Sequence, residues 1–194
     1  MQIQNIKRDP KCETSATLEE KLKFFERVRI TGKELCEEKE WHNAKNLYSR
    51  CIGLFKNMPK KQKDSLSPEQ QLEREEILTI LNLNVALCLL RKNMAPECIK
   101  HCQEAIKISP KNPKGYYRLC QAYKMVNDLD RAKENLLKAI ELQPSDKVMR
   151  DEYKKLCAEK TSKEKEWYAA MSGFYNKDKI KLMEVKDEED KLLR

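Results

Sequence analysis

Five polar side chains in three distant segments have the chemistry needed to hold an anion. Arg29 and Lys33 lie four residues apart, as do Lys114 and Arg118, and Asn84 lies between the two pairs in the chain. Residues four apart on an α-helix share a face, so each pair would present two cations side by side. Lysine and arginine donate charge-assisted hydrogen bonds to carboxylates and phosphates. These residues therefore indicate an anion-binding surface, provided that the fold brings the three segments together.

The overall charge agrees with an anionic partner. The formal net charge is +8, and the basic excess is concentrated in residues 79–144. Such a region could attract nucleic acid, an acidic membrane face or a carboxylate-rich peptide. Because its basic residues are mixed with Glu and Asp and follow no nucleic-acid-binding motif, we expect no nucleic-acid partner. No segment approaches the roughly 20 apolar residues of a membrane span, so we expect no membrane partner and a soluble, cytoplasmic chain.

Two other kinds of chemistry are disfavoured by the residues that would perform it. Cys98, His101 and Cys102 lie within one helical turn, but a structural zinc site needs four ligands and both cysteines occupy small, core-type positions. The histidines are His42 and His101, and the chain has neither a nucleophile motif nor a glycine-rich phosphate loop. We therefore expect no metal, no cofactor and no enzymatic activity, and we interpret the cysteines as reduced thiols packed in helices.

The elements that must position the basic pairs are helices in a 34-residue repeat. The chain has only 4 glycines, which disfavours a turn-rich β protein. Residues 79–112 and 113–146 align without gaps, with AIKISP of the first matching AIELQP of the second. Small residues coincide in the two copies, for example Ala86 with Cys120 and Ala105 with Ala139. A 34-residue period of this kind predicts stacked pairs of helices.

A first copy of the repeat covers about residues 25–58, and an insertion of about residues 59–78 separates it from the second. Pro59 and the run NMPKKQKD predict a break in the helix. Ser67, Pro68 and Gln70 then form the pattern of a capping box with proline at the first helical position. We therefore predict that a long helix begins at Pro68 and continues through the second repeat.

These features resemble the tetratricopeptide repeat family. The resemblance implies an all-α fold: a right-handed superhelix of three tetratricopeptide repeats plus a long C-terminal capping helix, seven helices in all, with a concave groove lined by the first helix of each repeat. We expect the domain to span residues 18–176, with the capping helix at about 147–176. A flexible N-terminal segment, 1–17, would precede it and a charged tail, 177–194, would follow.

The C-terminal helix also carries a basic, amphipathic pattern. Trp167, Met171 and Phe174 form an apolar stripe flanked by Lys163, Lys165, Lys177 and Lys179. Calmodulin targets have this character, and calmodulin binding has been suggested for immunophilins of related architecture. Packing of the stripe against the third repeat explains the same residues and is the interpretation that we favour.

Within the family, the five polar residues resemble the carboxylate clamp of tetratricopeptide-repeat co-chaperones. The segments VRITGKEL, NLNVALC and PKGYYRLC follow its pattern, except that Lys33 stands where asparagine is usual and Arg29 replaces the commoner lysine. The resemblance implies that Arg29, Lys33, Asn84, Lys114 and Arg118 bind the acidic C-terminal peptide of heat-shock protein 90 or 70, such as Met-Glu-Glu-Val-Asp.

The insertion and the terminal helix further resemble the C-terminal half of the large tacrolimus-binding immunophilins. In those proteins an isomerase domain of on the order of 100 residues precedes the repeats, and this sequence has only 24 residues there. We therefore expect a co-chaperone adaptor without the isomerase domain. Two alternatives remain open: a repeat scaffold that binds an internal segment of another partner, or the repeat half of an isomerase whose catalytic domain is missing.

Overall fold

The computed structural model describes residues 16–170, with side-chain environments up to residue 167. Within this range the chain is all-helical and contains no strand, as the sequence predicts. Eight helices follow one another: α1 Leu18–Glu37, α2 Trp41–Lys56, α3 Lys60–Asp64, α4 Pro68–Arg91, α5 Ala95–Ile108, α6 Pro113–Met125, α7 Leu129–Leu142 and α8 Lys147–Ala170. None of the helices described is long and apolar enough to cross a membrane.

Six of these helices form three consecutive pairs, which are α1 with α2, α4 with α5, and α6 with α7. Helix α2 packs on α4 and α5 packs on α6, so each pair leans on the next, and α4 also contacts α6. Burial of apolar faces between successive pairs is the means by which a helical repeat array acquires a core. Helices α1, α4 and α6 are therefore the first helices of the three repeats, and they carry the five polar residues.

The turn inside each pair has the same backbone conformation in all three repeats. Lys39, Asn93 and Asn127 have positive φ angles of 62°, 56° and 59°. These three residues occupy equivalent positions in the three predicted repeats. In each turn the next amide donates to a carbonyl five residues back, for example Met94 to Leu89 at 3.0 Å. This hydrogen bond satisfies a terminal carbonyl of the first helix, as in a Schellman motif. Lys39 adopts a conformation that suits asparagine or glycine better.

Small residues occupy the places where helices cross. Ala86, Cys120 and Ala139 are inaccessible to solvent, and Ala105 is almost so. A methyl group at Gly32 would overlap the ring of Tyr48, so this position requires glycine for steric reasons. The small positions predicted from the repeat pattern are therefore buried at helix crossings.

The insertion is more structured than the sequence indicates. The capping box is present as predicted: Gln70 N donates to Ser67 Oγ at 3.2 Å, and Ser67 N donates to Gln70 Oε1 at 2.9 Å. The run predicted only to break the helix contains the short helix α3, which is why the described residues hold eight helices rather than seven. From α3, Gln62 accepts a hydrogen bond at 2.8 Å from the buried amine of Lys21.

The beginning of the domain is fixed by hydrogen bonds. Thr17 caps α1, with its hydroxyl accepting from Glu20 N at 3.3 Å. The amine of Lys21 and the amide of Gln62 both donate to the carbonyl of Ala16, at 2.6 and 2.9 Å. Ala16 and Thr17, expected to be part of a flexible segment, thus belong to the folded domain. Residues 1–15 lie outside the described residues.

Helix α8 begins at Lys147, where the C-terminal helix was predicted to begin. Described residues up to Met149 belong to the same compact unit as the repeats, and the described residues from Arg150 onward belong to a second unit. The side chain of Trp167 is 48% exposed. Met171, Phe174 and the basic residues that follow lie outside the described residues, as does the charged tail. Capping by this helix and calmodulin binding therefore stay predictions.

Candidate functional site

The five predicted polar residues line two adjoining cavities on the first helices of the repeats. The first cavity, of about 620 Å³, is lined by Arg29, Lys33 and Asn84. The second, of about 340 Å³, is lined by Lys114 and Arg118. Leu87 borders both cavities, so they form one continuous surface across α1, α4 and α6. We call this surface the groove.

Arg118 is the most firmly held of the five. It projects from α6, and its Nη1 donates a hydrogen bond to the carbonyl of Leu83 on α4. Burial lowers the pKa of Arg118 from its ordinary value, although an arginine remains charged at any physiological pH. The guanidinium is thus fixed in the wall of the second cavity by the preceding repeat. A pre-ordered cation loses less conformational entropy when it binds an anion.

Lys114 occupies the second position of helix α6, after Asn112 and Pro113. The side-chain oxygen of Asn112 accepts from Lys114 N at 3.1 Å and thereby caps the helix. The lysine side chain is exposed and lines the second cavity. A cation at a helix N-terminus is unfavourable, because that end of the helix carries partial positive charge. The same end, with a lysine and a fixed arginine beside it, would favour a bound anion.

Arg29 and Lys33 have acidic neighbours on their own helix. Arg29 Nη2 lies 2.9 Å from Glu26 Oε2, and Lys33 Nζ lies 3.6 Å from Glu37 Oε1. The side chains of both pairs are more than half exposed. Exposed ion pairs of this kind contribute about 0–1 kcal/mol, so an anionic ligand could compete for either cation.

Positive charge is therefore greater in the second cavity than in the first. In the first cavity Glu34 and Glu37 balance the two basic residues. In the second cavity Asp146 is the one carboxylate among the described lining residues, opposite Lys114 and Arg118. The arrangement provides one end with a net positive charge, in repeat three, and a region of balanced charge in repeats one and two.

Sequence reasoning missed several residues that line the groove. Tyr117 and Gln121 accompany Lys114 in the second cavity, and Leu87 follows Asn84 by three residues. Extending the basic pairs by helical spacing along the same face would have found them. The acidic residues of α1 and the thiol of Cys36, which also borders the first cavity, gave no comparable signal.

The cysteine and histidine cluster on α5 is part of the core. Cys98 and Cys102 are fully buried, with their sulfur atoms 3.9 Å apart. His101 turns instead toward α4, where its Nδ1 lies 2.9 Å from Asn82 Oδ1. No group of three potential metal ligands occurs among the described residues. The seven described cysteines are all free thiols.

Comparison with known proteins identifies the architecture. The tetratricopeptide repeat family model matches residues 113–146, the third helix pair. A solved structure of the C-terminal tetratricopeptide-repeat domain of an FK506-binding protein from Plasmodium falciparum covers 78% of this chain and 97% of its own, with 26% identity and a TM-score of 0.65. This chain contains a tetratricopeptide-repeat domain. It resembles the C-terminal repeat domain of FK506-binding immunophilins.

Longer proteins match the repeat domain as well. The peptidyl-prolyl cis-trans isomerase FKBP42 of Arabidopsis thaliana is 26% identical over 177 residues, which are 88% of this chain and 46% of that protein. The Hsp90 co-chaperone Cns1 of Saccharomyces cerevisiae has 25% identity and a TM-score of 0.59, covering 89% of this chain and 47% of its own. The chain thus spans less than half the length of these two relatives.

Proposed function

We propose that the chain is a co-chaperone adaptor whose groove binds the acidic C-terminal peptide of heat-shock protein 90 or 70. The observation that carries this proposal is the pairing of Lys114 and Arg118 in the second cavity, beside the N-terminus of α6. A free C-terminal carboxylate matches this site in charge and can accept hydrogen bonds from both side chains. The similarity to an Hsp90 co-chaperone supports the same ligand class.

The other polar residues would contact the rest of the peptide. Asn84 offers an amide donor in the first cavity, and Arg29 and Lys33 would exchange their glutamate partners for acidic side chains of the ligand. Each charge-assisted hydrogen bond contributes about 1.5–3 kcal/mol. Two or three of them contribute about 3–9 kcal/mol, and the cost of ordering a flexible peptide reduces this sum, so we expect an affinity in the micromolar to millimolar range.

The role that we propose is binding rather than catalysis, in the cytoplasm where these chaperones act. The Plasmodium falciparum structure, of which this chain covers 97%, is a repeat-containing domain. We therefore expect the 194-residue chain to bind chaperone peptides without accelerating prolyl isomerisation. An isomerisation assay on a proline peptide, with the spontaneous rate as reference, tests this part of the proposal.

A peptide titration tests the proposed ligand. The pentapeptide Met-Glu-Glu-Val-Asp, labelled at its N-terminus, is titrated with the protein as a free acid and as a C-terminal amide. We expect the amide to bind at least tenfold more weakly, because it lacks the terminal negative charge. Affinity for the free acid should also fall as salt rises, since screening weakens contacts with exposed cations.

Binding to an internal segment of another protein is the alternative. It is favoured by the balanced charge of the first cavity, which does not require a chain terminus in the ligand. In that case the free acid and the amide would bind equally, and the proposed recognition of a C-terminal carboxylate would be wrong.

A further inference from the structure

Two thiols from different repeats meet in the wall of the first cavity. Cys36 lies near the end of α1 and Cys88 near the end of α4, and their sulfur atoms are 3.9 Å apart. Cys36 is partly exposed and borders the cavity, whereas Cys88 is fully buried behind it. A reagent in the cavity can thus reach one sulfur, and the second sulfur is already in contact with the first.

The surroundings of Cys36 favour its thiolate. Hydrogen bonds from Cys88 and from the hydroxyl of Tyr48, together with the positive charge of Arg118, lower the pKa of Cys36 to about 7. Burial and the nearby carboxylate of Glu37 oppose this shift. At pH 7 about half of the Cys36 thiols would be ionised, against about one in a hundred for a thiol of pKa 9.0. Burial raises the pKa of Tyr48, so its hydroxyl keeps the proton that it donates.

We propose that Cys36 is a modification site for hydroperoxides and that Cys88 is its resolving thiol. The Cys36 thiolate attacks the terminal peroxide oxygen, the oxygen–oxygen bond breaks, and the alcohol leaves after taking a proton. Cys36 is then a sulfenic acid. The sulfur of Cys88 attacks the sulfur of Cys36, and the hydroxyl group leaves as water with the proton from Cys88. Two thiols are oxidised to one disulfide, and one hydroperoxide is reduced to an alcohol and water.

The disulfide requires a small movement. Bonded sulfur atoms lie about 2.05 Å apart, so the two sulfurs must approach by roughly 2 Å, which rotation about the side-chain bonds can supply. The product would join α1 of repeat one to α4 of repeat two. These residues are 52 positions apart in the chain. The insertion and the whole of α2 would then lie inside a covalent loop.

The chain contains a matched control for this chemistry. Cys98 and Cys102 have the same separation of 3.9 Å, but both are fully buried on a single helix. If contact between two thiols were sufficient, both pairs would react with the peroxide. If access to the cavity is also required, only the pair that contains Cys36 would react. Cys12 lies outside the described residues and is replaced by serine in every protein used in the test.

The folded chain is oxidised by hydrogen peroxide at neutral pH. Mass spectrometry then measures the mass of the intact protein and, after proteolysis, the masses of its peptides. We expect the loss of two hydrogen atoms and a peptide cross-linked through Cys36 and Cys88. Cys36→Ala should abolish the rapid reaction, and Cys98→Ala should leave it unchanged. In Cys88→Ala, dimedone should trap a sulfenic acid at Cys36. Rapid oxidation that survives Cys36→Ala, or a cross-link through any other pair, would overturn the proposal.

The main part of a second measurement needs no substitution in the folded domain, so it avoids any loss of folding. The rate of Cys36 alkylation by iodoacetamide, followed by mass spectrometry from pH 5 to 10, should rise with a midpoint of about 7. In Cys88→Ala, if its circular dichroism melt shows a folded protein, this midpoint should move to higher pH. A midpoint near 9 in the Cys12→Ser chain that keeps both Cys36 and Cys88 would refute the assignment of Cys36 as the reactive thiol.

Discussion

Replacement of Lys114 by alanine should separate binding from stability. The side chain is exposed, so its removal creates no cavity. The loss of a cation at the second position of α6 removes an unfavourable interaction with the helix dipole, of about 0.3–1 kcal/mol. The variant should therefore be as stable as the parent protein, or slightly more stable. Its affinity for the free-acid pentapeptide should nevertheless fall about tenfold, which corresponds to about 1.4 kcal/mol.

A double-mutant cycle gives the cleanest measurement of this contact. The parent protein and Lys114→Ala are each titrated with the free-acid and the amidated peptide by fluorescence anisotropy, at one salt concentration. The coupling between the lysine and the peptide carboxylate is the part of the loss that disappears when the peptide is amidated. We expect this coupling to account for most of the tenfold effect.

Lys111→Ala serves as the control, because Lys111 is also exposed but lines neither cavity. It removes the same net charge three residues away and should change the affinity less than twofold. Equal losses for Lys114→Ala and Lys111→Ala would mean that only the overall charge attracts the peptide. Equal losses with the free acid and the amide would mean that Lys114 does not contact the terminal carboxylate.

Three further predictions concern stability, measured by urea unfolding. Gly32→Ala should lower the free energy of unfolding by about 1–3 kcal/mol, because the added methyl group overlaps the Tyr48 ring. Gly53→Ala should raise the free energy of unfolding by about 0.5–1 kcal/mol, because Gly53 lies within α2 and has open space around it. Equal effects of the two substitutions would contradict the steric argument. Ser67→Ala should cost about 1 kcal/mol through loss of the α4 cap, and an unchanged midpoint would count against that cap. Burial lowers the pKa of His101, so the unfolded chain binds this proton more readily and stability should fall as pH drops below about 6.5. His101→Gln should make this fall shallower, and an identical pH dependence would exclude the histidine as its source.

The features that the sequence predicted well are those with strict spacing. The 34-residue period located the second and third repeats, because each helix crossing accepts only a small side chain at a fixed place. The capping box at Ser67 was equally predictable, since it depends on residues three apart in the chain. The grouping of the five polar residues along one surface followed from their equivalent positions in the repeats.

Features that depend on contacts between distant segments could not be predicted. The buried amine of Lys21 is acceptable because it donates to the carbonyl of Ala16 and to Gln62, from the short helix in the insertion. Likewise, nothing in the local sequence of Cys36 points to Cys88, and the burial of Arg118 depends on a carbonyl of the preceding repeat. Periodicity identifies the face of a helix, but it does not identify the partner that covers that face.

The hydrogen bond from Arg118 to the carbonyl of Leu83 links the ligand site to the cohesion of the array. In a repeat protein each unit is held mainly by its neighbours, and units near an end open more often than the whole chain unfolds. If the third repeat separated from the second, Arg118 would lose its anchor and the second cavity would lose a wall. A bound peptide would therefore stabilise the contact between the second and third repeats and suppress this opening. Hydrogen exchange in α6 and α7 should slow on binding, even at amides far from the ligand.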